Sequence, residues 1–278
     1  MIEGHPQVRY TMNDDVILLE GQEPNYTVTR KDLKTHEETI FTVIDRSDDM
    51  IAAFNTSSVV NGIKGISPLM NLSYVGLVSA FTIDYMHCVL LGVVKKVTHL
   101  WLDSTSHDKS YYIGEKTSDV DNRLTKIKPP TYISRRPRSI VDRAYWKANE
   151  FRSWLLHYSL PCLAGILPYV FLKHHCMLAT AIFMLLQQDV SSDIIETASW
   201  YLAQYVLEFQ NLYGELNMNF NLHLLLHLGK CVEKYGPLWC YSAFVFESGN
   251  GSLVNGTKGV KTQISNKYVM MKNIPKVV

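Results

Sequence analysis

Two histidines one helical turn apart, His223 and His227, stand twenty residues ahead of Glu247, in a stretch that runs from Asn221-Leu-His-Leu-Leu-Leu-His-Leu to Phe244-Val-Phe-Glu247-Ser-Gly. A spacing of four on a helix puts both imidazoles on one face, where they could clamp a metal, and the aromatic setting of Glu247 offers a free carboxylate little water. The competing reading is structural: two histidines packed among leucines, and a hydrogen-bonded acid at a strand end. A second constellation is Asp84-Tyr-Met-His87. Asp84 can cap the helix that follows it, with His87 in the first turn. A third is a basic run in which Arg123, Lys126, Lys128, Arg135, Arg136, Arg138, Arg143 and Lys147 alternate with Tyr132, Tyr145 and Trp146. Such a run can grip phosphate oxygens and stack on bases. It can equally be a solvated linker.

The elements that must hold these groups follow from periodicity and punctuation. Residues 1–80 are rich in Thr, Asn, Asp and Gly, with β-branched runs at 26–29 and 39–44 that predict one or two short strands. The segment 81–84 reads as a strand end, and apolar residues at helical spacing predict a helix over 86–102. Residues 104–144 read as a polar linker with Pro129, Pro130 and Pro137. Helical blocks follow at 145–157, at 162–187 with an interruption at Pro168, at 192–213 and at 219–233. The third of these opens on Ser191-Ser-Asp and closes at Gly214, which is N-cap and C′ chemistry respectively. Residues 242–246 read as a strand carrying its acid at the end, and a Gly-rich tail follows.

Composition restricts the functions these groups could serve. The chain has 278 residues, 47% of them apolar, enough to bury a real core. Its 27 basic side chains nearly balance 26 acidic ones, so attraction to nucleic acid must come from a local patch. The five cysteines are odd in number and form no Cys-x-x-Cys pair, which fits a reducing compartment, nucleus or cytoplasm. The longest apolar stretch, 155–172, is broken by Pro161 and Pro168, so no membrane span and no membrane partner is expected.

Several ordered motifs carry a resemblance: Asn61-Gly-Ile-Lys-Gly-Ile, the Asp84 to His87 box, Ile127-Lys-Pro-Pro with Arg135-Arg-Pro-Arg, Tyr145-Trp-Lys-Ala-Asn-Glu150-Phe-Arg, Tyr213-Gly, the histidine pair, Gly236-Pro-Leu-Trp and Phe244-Val-Phe-Glu247. Together they resemble the transposases of the CACTA (EnSpm) group and the transposase-domain proteins derived from them. The resemblance implies an α+β, mostly α fold, a partial RNase H-like core with a large α-helical insertion. It divides the chain into a core remnant (1–103), a basic linker (104–144), the insertion (145–234) and a last core strand with Glu247 and its tail (235–278).

The resemblance also implies a chemistry. Such enzymes use two aspartates and a glutamate to hold two Mg²⁺ or Mn²⁺ ions that drive in-line attack on a phosphodiester. Glu247 matches that glutamate, while the family's two aspartates lie upstream of the segment equivalent to Val8-Arg9-Tyr10, so Glu247 is expected to be vestigial. Asp84 and His87 match a box that follows the second aspartate. In the related RAG recombinase, a histidine pair matching His223 and His227 joins a Cys-x-x-Cys to bind Zn²⁺, and this chain lacks that motif. DNA is the implied partner, with self-association into a homo-oligomer. The expected function is that of a truncated DDE transposase-like protein without DNA cleavage. The alternatives are a co-opted DNA- or chromatin-binding module, or an active transposase whose other half is encoded upstream.

Overall fold

The computed structural model describes residues 7–12, 15–22, 25–32, 38–43, 52–53, 55–60, 64–65, 81–131, 133 and 136–255. Helix dominates. The chain divides into two compact units, Met1–Thr82 and Ile83–Val278.

In the first unit, β1 (Gln7–Met12), β2 (Asp15–Gln22), β3 (Asn25–Asp32) and β4 (Glu38–Val43) form an antiparallel meander in chain order. Each strand pairs with its sequence neighbour, with Leu18 opposite Arg9 on one side and Thr29 on the other. The runs Tyr26-Thr-Val-Thr and Thr39-Ile-Phe-Thr-Val supply the β-branched and aromatic residues that suit a pleated surface. The two short strands expected at 26–29 and 39–44 therefore fall within β3 and β4.

The second unit begins with a π-helical segment, Met86–Val94, that continues without a break into α1 (Lys95–Leu102). Residues 104–144, expected as a linker, are instead structured. They contain α2 (Thr117–Lys126) and a 3₁₀ segment, Ile140–Tyr145. Val120 and Leu124 of α2 are fully buried, which is why a stretch that reads as polar folds onto the core. Then come α3 (Ala148–Ser153), a π-helical turn at Trp154–Tyr158, and α4 (Ser159–Leu163). Two long helices follow, α5 (Tyr169–Leu185) and α6 (Ser192–Tyr213). Ser191 Oγ accepts from Ile194 N at 3.4 Å, and the helix ends at Gly214, whose φ of +86° suits a residue without Cβ.

The predicted helix over 219–233 is two helices, α7 (Phe220–Leu225) and α8 (Leu228–Tyr235), separated by a turn at Leu226 and His227. The last described element is α9 (Phe244–Asn255). No strand occurs among the described residues from Ile83 onward, so the strands expected at 81–84 and 242–246 are absent. Their apolar runs are short, and at the start of α9 Ala243 N donates to Asp84 Oδ1 at 2.8 Å and Phe244 N to Ser242 Oγ at 3.4 Å.

The core of this unit is aromatic. Trp101, Trp154, Tyr205 and Phe209 are completely enclosed. Both indole N–H groups are matched: Trp101 Nε1 donates to Tyr213 OH at 3.2 Å, and Trp154 Nε1 donates to Thr98 Oγ1 at 3.1 Å. Apolar residues of α6 recur at Ala198, Leu202, Tyr205, Val206 and Phe209, the helical stripe that α5 covers. Gly92 marks a close crossing, since a Cβ there would sit 2.5 Å from Asn221 Nδ2 on α7.

Candidate functional site

Asp84 lies at the start of two helices. Its Oδ1 accepts from Met86 N at 3.3 Å and from Ala243 N at 2.8 Å, and its Oδ2 accepts from His87 N at 3.0 Å. The expected cap of the following helix is present, and the same carboxylate also receives the N–H group just ahead of α9. Helix starts carry unpaired N–H groups and a partial positive charge, so one anion satisfies donors from both.

The second consequence concerns His87. Its Nδ1 lies 2.6 Å from Asp84 Oδ2, and a carboxylate there can only accept, so Nδ1 holds the proton and Nε2 faces outward. Nε2 is 3.9 Å from Glu247 Oε1. The boxes around residues 84 and 247, far apart in sequence, thus meet as Asp84, His87 and Glu247. The His87 and Glu247 side chains are 55% and 59% exposed, so the glutamate is not the dry carboxylate expected from its aromatic neighbours. Residues 244–246 explain this: Val245 and Phe246 point to solvent, at 74% and 68% exposure. The arrangement can move a proton through His87 Nε2, in a site open to water.

The residues do not fit the two-cation chemistry implied by the resemblance. Among the described residues, no three His, Cys, Asp or Glu side chains converge on a point that could hold a metal ion. Asp84 already accepts four hydrogen bonds. Cys88, one turn beyond, is no nucleophile. Its thiol is pushed up to about 12, first by burial and then by the charges of Asp84 and Cys231, and it donates to Asn221 O at 3.4 Å.

His223 and His227 do meet, with Nε2 atoms 3.3 Å apart and rings nearly edge to face. Burial, and then the charge of His223, pushes His227 down to about 4, so its imidazole stays neutral near pH 7. Two imidazoles at this separation could supply two of the four ligands of a tetrahedral zinc site. Among the described residues, no third His, Cys, Asp or Glu joins them.

The basic run separates into two groups. Arg123 Nη1 donates to Cys162 O at 3.1 Å and Ala164 O at 2.6 Å, closing the end of α4. Arg138 makes a two-pronged pair with Glu150, Nε to Oε1 at 2.5 Å and Nη2 to Oε2 at 2.9 Å, and also donates to Tyr145 O. Arg143 is half-buried, donates to Ile140 O, and has its pKa lowered by burial. These three arginines all make bonds within the fold. Lys126, Lys128, Arg136 and Lys147 are exposed. Arg135 lies outside the described residues, as does Tyr132.

Sequence reasoning missed Arg152 and Trp239. Arg152 sits on α3 with its guanidinium 5.4 Å from the centre of the Phe244 ring, and Phe244 packs edge-on against Tyr85 at 6.0 Å. The Tyr85 phenol is raised by burial, and Arg152 acts in the opposite direction. With Arg136, Lys147 and Trp239, Arg152 lines a groove of about 700 Å³. Its place within Glu150-Phe-Arg, in an otherwise ordinary helix, gave no spacing signal.

No helix among the described residues is long and apolar enough to cross a membrane. No protein-family signature, curated protein or solved structure matches the chain.

Proposed function

We propose that the chain derives from a CACTA-group DDE transposase, with an RNase H-like ancestry and a helical insertion, and is retained as a DNA-binding protein that does not cut DNA. The observation that carries the reading is the meeting of the Asp84 box with Glu247, at 3.9 Å through His87, across the intervening helices. Motifs quoted for the resemblance from opposite ends of the helical block form one cluster, as the parts of a former active site would. The absence of strand cleavage follows from the carboxylates: Glu247 is exposed, and Asp84 is committed to two helix starts and a histidine. DNA attraction rests on the four exposed cations of the basic run, Lys126, Lys128, Arg136 and Lys147.

The test is a salt series on duplex DNA together with a plasmid-nicking assay. With no more than about four phosphate contacts, log affinity should fall against log salt with a slope of about −3 to −4, without sequence preference. Binding that ignores salt, or cleavage dependent on Mg²⁺ or Mn²⁺, overturns the reading.

A further inference from the structure

The groove beside α3 is the most distinctive cavity of the helical unit. It encloses about 700 Å³, within the range of sites that take a small organic ligand. Its lining is strongly one-signed. Arg136, Arg138, Lys147 and Arg152 face one acid, Glu150, and Arg138 neutralises that acid with a two-pronged pair. Arg136, Lys147 and Arg152 are left as cationic lining, and none of their side chains pairs with a carboxylate among the described residues. Asn149, Ser153 and His157 add neutral hydrogen-bonding groups on the same wall.

The aromatic side of the groove is equally specific. Trp146 is a fixed floor: it is buried, its Nε1 donates to Ser139 O at 3.2 Å, and its ring packs on Phe151 and Trp154 at 5.4 and 5.9 Å. Trp239, half exposed, is the other indole of the lining. Cations that satisfy a phosphate, lining one groove with a half-exposed indole that can stack on a base, make a site for a nucleotide.

We propose that this groove binds a nucleotide unit, with its phosphate held by Arg136, Lys147 and Arg152 and its base stacked on Trp239. It deepens the DNA-binding reading and rests on it in part: the nucleotide can be free or can be the end of a single strand, and both present the same phosphate and ring. The groove places the nucleotide contact on the Arg152 side of α3, apart from the duplex contacts of the rest of the basic run. Lys126 and Lys128 do not line it.

The experiment measures affinity for AMP, for a 5′-phosphorylated single-stranded oligonucleotide, for inorganic phosphate and for an acidic peptide, using the full chain. The variants are Arg136→Gln/Lys147→Gln, Trp239→Ala and, as a control outside the groove and outside the basic run's exposed cations, Lys116→Gln/Lys173→Gln. All these side chains are exposed, and thermal melting of each variant verifies that it is folded. The expected result is a loss of about tenfold or more in AMP and oligonucleotide affinity for both groove variants, and less than about twofold for the control. Trp239→Ala should leave the weak phosphate binding unchanged. Tighter binding of AMP than of the oligonucleotide identifies a free nucleotide as the ligand, and the reverse identifies a strand end.

Equal losses in the groove and control variants, an acidic peptide bound as tightly as AMP, or no binding of AMP and oligonucleotide each overturn the proposal. Duplex binding without any nucleotide binding would sink the groove and leave the transposase reading standing. Nucleotide binding in a protein that also nicks plasmid would do the opposite.

Discussion

The Oδ1 atom of Asp84 accepts a hydrogen bond from the backbone N–H of Ala243 at 2.8 Å, across 159 residues of chain. That bond joins the two ends of the described helical unit. Met86 and His87 donate to the same side chain from the start of the π-helical segment, so the carboxylate is shared between two helix starts. Its negative charge faces the positive end of each, which lowers the cost of holding a partly buried anion.

Removing that carboxylate should therefore cost two caps at once. A cap changed to Ala typically costs about 0.5–2 kcal/mol, so Asp84→Ala should lose roughly 1–4 kcal/mol. For a unit of this size that corresponds to a melting temperature lower by about 2–16 °C. Asp84→Asn keeps an acceptor and should lose less than half as much. Equal melting of the parent and the Ala variant would show that neither cap matters.

Periodicity located α5 and α6 well, because each turns a long apolar stripe to the core and is bounded by Pro168, Ser191 or Gly214. It failed where a tertiary partner decides the outcome. The segment 242–246 has the composition of a strand, yet Asp84 supplies a helix-start acceptor that no local rule can see. The turn at Leu226 and His227 was hidden inside a continuous leucine pattern. Arg138 and Lys147 look alike in a basic run, and only Glu150, at 2.5 Å from Arg138, tells them apart. The chemistry-bearing residues were visible by type, whereas their exposure and partners were not.

His174 and His175 predict how stability responds to acid. His174 stacks on Tyr205 and bonds to Tyr205 O, and His175 shares a hydrogen bond with Ser159 Oγ at 2.8 Å. Both Nδ1 atoms are enclosed without a partner among the described residues. Burial pushes His174 down to about 4 and His175 to about 3, while both sit near 6.5 in an unfolded chain. The folded state refuses protons that the unfolded state takes, so stability is level above pH 6.5 and falls as pH drops from there toward 4. The slope from these two rings is at most about 3 kcal/mol per pH unit. Melting curves from pH 7.5 to 5 should show the decline, and ring signals that titrate near pH 6.5 in the folded protein would contradict it.

The histidine pair should not hold structural zinc. His223→Ala removes one exposed ring, and its effect on melting should stay within about 0.5 kcal/mol. Protein purified without chelator should carry well below one zinc per chain. One firmly bound zinc per chain, lost together with stability in that variant, would mean that ligands outside the described residues complete the site.

Arg138 should behave as a structural residue. Because it grips Glu150 and Tyr145 O, Arg138→Gln should lower the melting temperature while leaving the salt slope of DNA binding unchanged. Lys126→Gln/Lys128→Gln should do the reverse: unchanged melting, with a slope shallower by about 2 units. If both variants shift only the slope, the two-pronged pair opens readily and Arg138 belongs with the DNA-facing cations.

The last prediction concerns strand cleavage. In-line attack with two cations needs carboxylates that grip both ions at once, and the described cluster offers Glu247 beside an Asp84 already bound to three N–H groups and an imidazole. Supercoiled plasmid incubated with the chain and Mg²⁺ or Mn²⁺ should therefore stay intact, and Glu247→Gln should be indistinguishable from the parent. Glu247→Gln should also leave melting nearly unchanged, since the side chain is exposed and His87 Nε2 lies 3.9 Å away. Nicking by the parent that disappears in Glu247→Gln would show that Glu247 works in a metal centre. The search for the remaining ligands would then move to Asp14, Asp45 and Asp48, all outside the described residues, and to Asp15 on β2.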